Sequence, residues 1–184
     1  MTTLYLRPNG VGAETGLYCN PSAGEANWQD VDEDPPDVNT YVGMLGGSSR
    51  DLYALQDHTT ETGTINWIKV WARVLGSGWN VIKVSGYAAR DGNSGGGAGY
   101  TNFNTQYSTN PDAGGAWTWA QLDALQGGVG LAGGKYDESR CTQVFIEVDY
   151  TETPPPTVTK KAILLRKNQY LRRTKFSSKL KLGY

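Results

Sequence analysis

The stretch that most restricts the fold is TINWIKVWARVL, residues 64–75. Its positions alternate with a period of two, so that Ile68, Val70, Ala72 and Val74 fall on one side and Trp67, Lys69, Trp71 and Arg73 on the other. A helix would scatter both sets around its circumference, whereas a strand gives each set its own face. A run of this length calls for a sheet with one face covered by other residues.

Shorter runs of the same kind recur between clusters of Gly, Pro, Asn and Asp: TLYLRP, TYVGM, RDLYAL, WNVIKVSGYAA, YTNFNTQYST, VGLAG and RCTQVFIEVDY. Eight strands predict an all-β fold, an antiparallel two-sheet sandwich of jelly-roll type, with RDGNSGGGAG as one of its end loops. A composition with 24 Gly, 11 Tyr and 6 Trp but only 3 Phe and 2 Met fits many turns and strands faced with aromatic rings. One short helix is expected in AWTWAQLDALQGG, where Thr118 caps, Gln121 answers from the third position, and Gly127 and Gly128 end it. Leu122 and Leu125 would press that helix onto the sandwich.

Charge divides the chain. Residues 158–184 hold nine Lys or Arg and no acid, whereas the rest holds eighteen acids and eight bases, so a near-neutral total hides about −10 joined to +9. Pro154–Pro156 cannot enter a ladder and mark a semi-rigid spacer. The expected organisation is a β-sandwich domain over 1–151, a Pro-rich linker over 152–157 and a basic C-terminal arm over 158–184. At full extension the arm's 27 residues reach roughly 90 Å, far enough to cross onto a neighbouring subunit.

The arm combines two kinds of contact. Lys160, Lys161, Arg166, Lys167, Arg172, Arg173 and Lys175 supply charge, and Ile163, Leu164, Leu165, Tyr170, Leu171 and Phe176 supply apolar grip. Leu180, Leu182 and Tyr184 alternate at its end and suit addition to a partner's sheet edge. Tails that serve nucleic acid alone rarely need such apolar residues. Packaged DNA is nevertheless a third partner for the arm, after virion proteins and another copy's acidic domain, and nine neutralised phosphates would give a log–log salt slope of at most about −8.

The chemical signals in the domain are weaker. The Trp67, Lys69, Trp71 and Arg73 row favours packing or an interface over a ligand platform, since interleaved rings and cations commonly serve as cation–π contacts. The other reading is a carbohydrate-binding face in which Trp79 or Tyr87 joins Trp67 and Trp71. The acidic stretch DVDEDPPD carries Asp30, Asp32, Glu33, Asp34 and Asp37, but Pro35 and Tyr41 stand where an EF-hand loop needs Gly and Glu, so a wet, negative turn is expected.

EVDYTE reproduces an E-x-D-x-x-E spacing that resembles retaining glucanases with a jelly-roll fold, a resemblance that would make Glu147 nucleophile and Glu152 acid/base. Its place on the last strand, running straight into the proline spacer, argues against it. His58 has no partner motif, and the serines lie in Gly-rich loops without a nucleophile-elbow sequence. With one His and no Cys pair at ligand spacing, no metal and no cofactor are expected, and the chain reads as a non-enzyme. Cys19 and Cys141 read as two buried thiols, with a disulfide between the first and last strands as the alternative. MTTLYLRPNG lacks the features of a signal peptide and no apolar run approaches a membrane span, so synthesis in the cytoplasm and no membrane partner are expected.

Several stretches together resemble the uncharacterised single-domain proteins of tailed phages and prophages. They are LYLRPNG, NWQDVDEDPPD with TYV following, RDLYAL, IKVWARV, PDAGGAWTWAQLDALQGGVGL and RCTQVFIEVDY, spanning nearly all of residues 3–150. The resemblance implies a virion-associated β-sandwich protein, made in the host cytoplasm and located on the particle. Joined to the arm's chemistry, it leads to an auxiliary, decoration or minor capsid protein anchored to the major capsid or other virion proteins, as a homo-oligomer or an ordered lattice.

Overall fold

The computed structural model describes residues 1–20 and 26–154. The basic arm over 158–184, and residues 155–157 of the linker before it, lie outside the described residues. Met1–Thr153 form one compact unit.

Among the described residues, eleven strands build two antiparallel sheets. The front sheet holds β3 (Tyr18–Asn20), β4 (Tyr41–Met44), β11 (Ser139–Glu152), β6 (Gly63–Leu75) and β9 (Thr101–Tyr107) in that order. β1 (Thr2–Leu6) joins the same edge of β11 beyond the end of β4, pairing Leu6 with Ile146 and Thr2 with Tyr150. The back sheet runs β2 (Pro8–Thr15), β5 (Gly47–Leu55), β10 (Gln126–Gly133), β7 (Ser77–Lys83) and β8 (Arg90–Gly95). The interleaved orders 4-11-6-9 and 5-10-7-8, with most connections crossing between sheets, are those of a jelly roll.

The expected alternation holds along β6. Ile68, Val70, Ala72 and Val74 are buried against the other sheet, while Trp67, Lys69, Trp71 and Arg73 face outward and half-buried. Two core clusters fill the sandwich. One gathers Leu6, Ile68, Val70, Ile82, Ile146 and Val148 around Trp117, Leu122 and Leu125, and the other gathers Val42, Tyr53, Val74, Val129, Leu131 and Val144. β11 is the spine of the front sheet, since β4 and β1 share one of its edges and β6 lies along the other.

Three strands were not expected from the sequence: β2, β3 and β8. The loop anticipated at RDGNSGGGAG is corrected, because its first six residues form β8 on the edge of the back sheet. The physical reason lies in its neighbour. The Thr105 and Phe103 side chains of β9 press against Gly92 and Gly95, where a Cβ would come within 2.4 and 2.2 Å of them. Asn93 N–H then donates to Thr105 Oγ1 at 2.6 Å, and Thr105 bonds Asn80 Oδ1 at 3.1 Å, stitching the two sheets together along this side.

The helix α1 is shorter than AWTWAQLDALQGG suggested, covering Trp119–Asp123. Its start is as expected: Thr118 Oγ1 accepts from Gln121 N–H at 3.2 Å, and Gln121 Oε1 accepts from Thr118 N–H at 3.1 Å. Its end is corrected. Gly127 and Gly128 belong to β10, paired with β5 on one side and β7 on the other, so a doubly satisfied ladder replaces the helix stop. Thr118→Ala is expected to lower stability by about 1 kcal/mol in urea denaturation, the usual cost of an N-cap. A change below a few tenths would mean that core burial of Leu122 and Leu125 alone holds this turn.

Cys19 and Cys141 both stand opposite Val42, on the two strands that flank β4. They are therefore two strand spacings, about 10 Å, apart, beyond the reach of a disulfide. Burial pushes the Cys141 thiol up to about 12, which makes it inert as a nucleophile at neutral pH.

Candidate functional site

The outward row of β6 is built into a wider surface by register. Trp71 stands opposite Phe145 on β11 and Asn104 on β9, Lys69 opposite Glu147 and Gln106, and Arg73 opposite Gln143 and Asn102. Tyr5 of β1 extends the surface beyond Glu147 and is 52% exposed. The sequence placed the row correctly but could not supply its partners, which come from β1, β9 and β11, all well separated from it along the chain.

These partners occupy the rings. Trp71 stacks on Phe145 with centroids 5.8 Å apart and planes at 12°, and its Nε1–H donates to Glu147 Oε2 at 2.8 Å. Lys69 Nζ sits 4.1 Å from the Trp67 ring centroid. Arg73 lies 4.5 Å from the Tyr100 ring and donates to Thr142 Oγ1 at 2.9 Å. Tyr5 meets Phe145 edge-on at 5.9 Å, and Arg7 approaches the same ring at 5.6 Å. Such a surface is preorganised and rich in aromatic residues and Arg, the composition found at the centres of protein interfaces.

The acidic stretch borders this surface. A 3-10 turn at Asn27–Asp30 leads into it, and Val144 N–H donates to the Val31 carbonyl at 2.8 Å, so the segment fills the gap between β4 and β1 along β11. Arg7 Nη1 donates to the Asp32 and Glu33 carbonyls at 3.2 and 3.1 Å, its Nη2 meets Asp34 Oδ2 at 2.6 Å, and Gln143 Nε2 donates to the Glu33 carbonyl at 2.6 Å. Glu33 Oε2 accepts from Asp37 N–H and Thr40 Oγ1. The Asp32 and Glu33 carbonyls and the Asp34 and Glu33 carboxylates are thus already bonded to protein donors. Among the described residues, no group of three or more His, Cys, Asp or Glu is arranged to hold a metal.

The carboxylates of EVDYTE do not converge. Glu147 and Asp149 face outward, whereas Glu152, at the end of the strand, accepts from Thr2 Oγ1 at 3.2 Å. Five residues of extended strand put Glu147 and Glu152 roughly 16 Å apart with opposite facing, against the 5–5.5 Å a retaining pair needs. Trp71 further holds Glu147 in place. His58 has a partner that the sequence did not indicate: its Nδ1 lies 2.6 Å from Asp123 Oδ1, and its ring packs 4.9 Å from Trp119 at the α1 end of the sandwich.

A second surface lies on the outer side of the back sheet. Glu14, Thr15, Gly16, Ser48, Ser49, Arg50 and Trp79 line an open groove of about 440 Å³. Arg50 binds both oxygens of Glu14, and its Nη1 meets Asp91 Oδ1 at 3.1 Å, while Trp79 Nε1–H donates to that same oxygen at 2.9 Å. The indole lies over Gly130, where a Cβ would come within 2.1 Å of it. One network thereby spans all five strands of the sheet. Trp79 was the only part of it that the sequence suggested, because the rest depends on strand order. Tyr87, also considered with it, lies in the turn after β7 and is 45% exposed.

No protein-family model matches the chain, and no curated protein matches it. Among solved structures, the crystal structure of the Podospora anserina GH26-CBM35 β-(1,4)-mannanase aligns with a TM-score of 0.34 and 11% sequence identity. That alignment covers 84% of this chain, which spans only 29% of the mannanase chain.

Proposed function

We propose that this chain is an auxiliary structural protein of a tailed-phage particle, a decoration or minor capsid protein whose basic C-terminal arm anchors a jelly-roll domain to neighbouring virion subunits. The observation that carries this reading is the charge segregation: about −10 on the first 157 residues and +9 on the last 27, in one chain. An arm with that charge and interspersed apolar residues is suited to steer toward and then grip an acidic protein surface. The front sheet adds support, since its paired aromatic and Arg residues form a preorganised face with interface chemistry. The sequence resemblance over residues 3–150 points to the same setting. No helix among the described residues is long and apolar enough to cross a membrane.

The test is co-sedimentation of the full chain and a 1–153 fragment with DNA-free particles that lack this protein, at low and high salt. The full chain is expected to pellet, and to be retained in part at high salt through its apolar contacts, while the fragment stays in the supernatant. Equal pelleting of both would remove the anchoring role from the arm. Binding to free DNA with a salt slope near −8, without binding to particles, would transfer the arm to nucleic acid.

A further inference from the structure

We infer that the groove on the back sheet is a binding site for a neutral, β-linked glycan, with Trp79 as the stacking platform. The inference is independent of the anchoring role proposed above, which concerns the arm and the front sheet.

The platform is built rather than incidental. Trp79 pairs with Gly130 on β10 and with Ser94 on β8, and the missing side chain at 130 lets the indole lie flat on the sheet. The indole packs against the Gly130 backbone and lines the groove. The bond from Nε1–H to Asp91 fixes the ring's rotation, so little side-chain entropy remains to be lost on binding. On the front sheet, by contrast, Trp71 stacks on Phe145 and Trp67 carries Lys69.

Charge selects the ligand class. Each guanidinium nitrogen of Arg50 already bonds Glu14 or Asp91, so its charge is paired before an anion arrives. Two carboxylates against one guanidinium leave the groove with a surplus of one negative charge, which disfavours phosphorylated, sulfated or sialylated ligands. Carboxylate oxygens remain accessible, with Asp91 53% and Glu14 33% exposed, and they accept hydrogen bonds from hydroxyls. Ser48, Ser49 and Thr15 both donate and accept. A flat ring beside fixed acceptors suits a pyranose that presents its C–H face to the indole and its equatorial hydroxyls to the walls. The volume is in the range of small-ligand sites and would take about one or two such rings.

The experiment is NMR titration of the labelled full chain with soluble hexasaccharides of β-1,4-glucose, β-1,4-mannose and β-1,4-N-acetylglucosamine, with a heparin hexasaccharide as the anionic comparison. At least one neutral hexasaccharide is expected to shift the Trp79 indole N–H and the Gly130 amide, leaving the Trp67 and Trp71 indoles in place. Trp79→Ala should weaken that binding at least tenfold while the other resonances keep their folded dispersion. The mapping on the unaltered protein stands even if Trp79→Ala fails to fold. The inference is overturned if none of the three moves the groove resonances at 10 mM, if heparin moves them as strongly, or if the shifts fall on Trp67 and Trp71.

Discussion

Asp51→Ala is expected to lower the unfolding free energy by about 3 kcal/mol, because a single buried carboxyl accepts from four donors inside the protein. Asp51 is fully buried on β5. Its Oδ1 accepts from Gly16 N–H at 2.6 Å and Leu17 N–H at 2.9 Å, and its Oδ2 from Asn27 Nδ2 at 2.5 Å and Tyr53 OH at 3.3 Å. The carboxylate therefore ties β5 to the turn between β2 and β3 and to the 3-10 turn. Asp51→Asn should cost less, since its remaining oxygen serves the two backbone donors and the Tyr53 hydroxyl can turn to accept, but it still loses the Asn27 bond, because its amide meets Asn27 Nδ2 donor to donor.

The pair of variants also separates charge from hydrogen bonding. Burial pushes the Asp51 carboxyl above its ordinary value, against the pull of its donors. The folded state thus holds this proton to higher pH than the unfolded chain does. Its contribution to stability is fully present below the unfolded carboxyl value near 3.8 and declines as pH rises through the folded value. The advantage of the wild type over Asp51→Asn should accordingly be larger at pH 4 than at pH 7. Urea denaturation at the two pH values measures it, and an advantage that grows with pH would contradict the assignment.

Trp117→Ala is expected to cost about 4 kcal/mol, the middle of the range for truncating a buried aromatic residue. Trp117 is only 4% exposed and plugs the α1 end of the sandwich among Leu122, Leu125, Ile82 and Val148. Its Nε1–H donates to the Tyr107 carbonyl at 3.0 Å, which secures the end of β9. Trp119, two residues on, is half-buried between His58 and Tyr150, and Trp119→Ala should cost clearly less. Thermal denaturation of both variants gives the ranking. Equal losses would mean that the plug is shared between the two rings.

How much of this was legible depended on what each element is held by. β6 and β11 could be read from the sequence because their inward residues alternate with outward ones, and burial of one face is what keeps them in register. β8 could not, since Arg90–Gly95 has no apolar residue: it is a strand because β9 presses against it and β7 pairs with it. β3 is three residues long and relies on β4 alone within its sheet. The helix start was written locally in Thr118 and Gln121, but its end was decided by the ladder that claims Gly127 and Gly128.

The candidate sites follow the same rule. That Trp67, Lys69, Trp71 and Arg73 share a face is a local fact of strand geometry, whereas their saturation by Phe145, Glu147 and Tyr100 is not. The Glu14, Arg50, Trp79 and Asp91 network draws on four strands scattered over nearly 80 residues, with Gly130 of a fifth beneath the ring. No spacing in the chain announces it.

The place of β11 has a consequence for how the domain comes into being. Its two main edges are filled by β6 on one side and by β1 and β4 on the other, yet it is the last of these strands to be synthesised. Until it emerges, β1 and β4 have no neighbour to join them to β6, β6 has only β9 beside it, and roughly 65 residues must be made between the end of β6 and the start of β11. Closing so long a loop makes folding late and slow relative to synthesis. A nascent chain stopped before Ser139 would therefore leave one edge of the aromatic strand β6 open, with only β9 on its other side, as a target for aggregation or chaperone capture, whereas one released after Glu152 holds the whole sandwich.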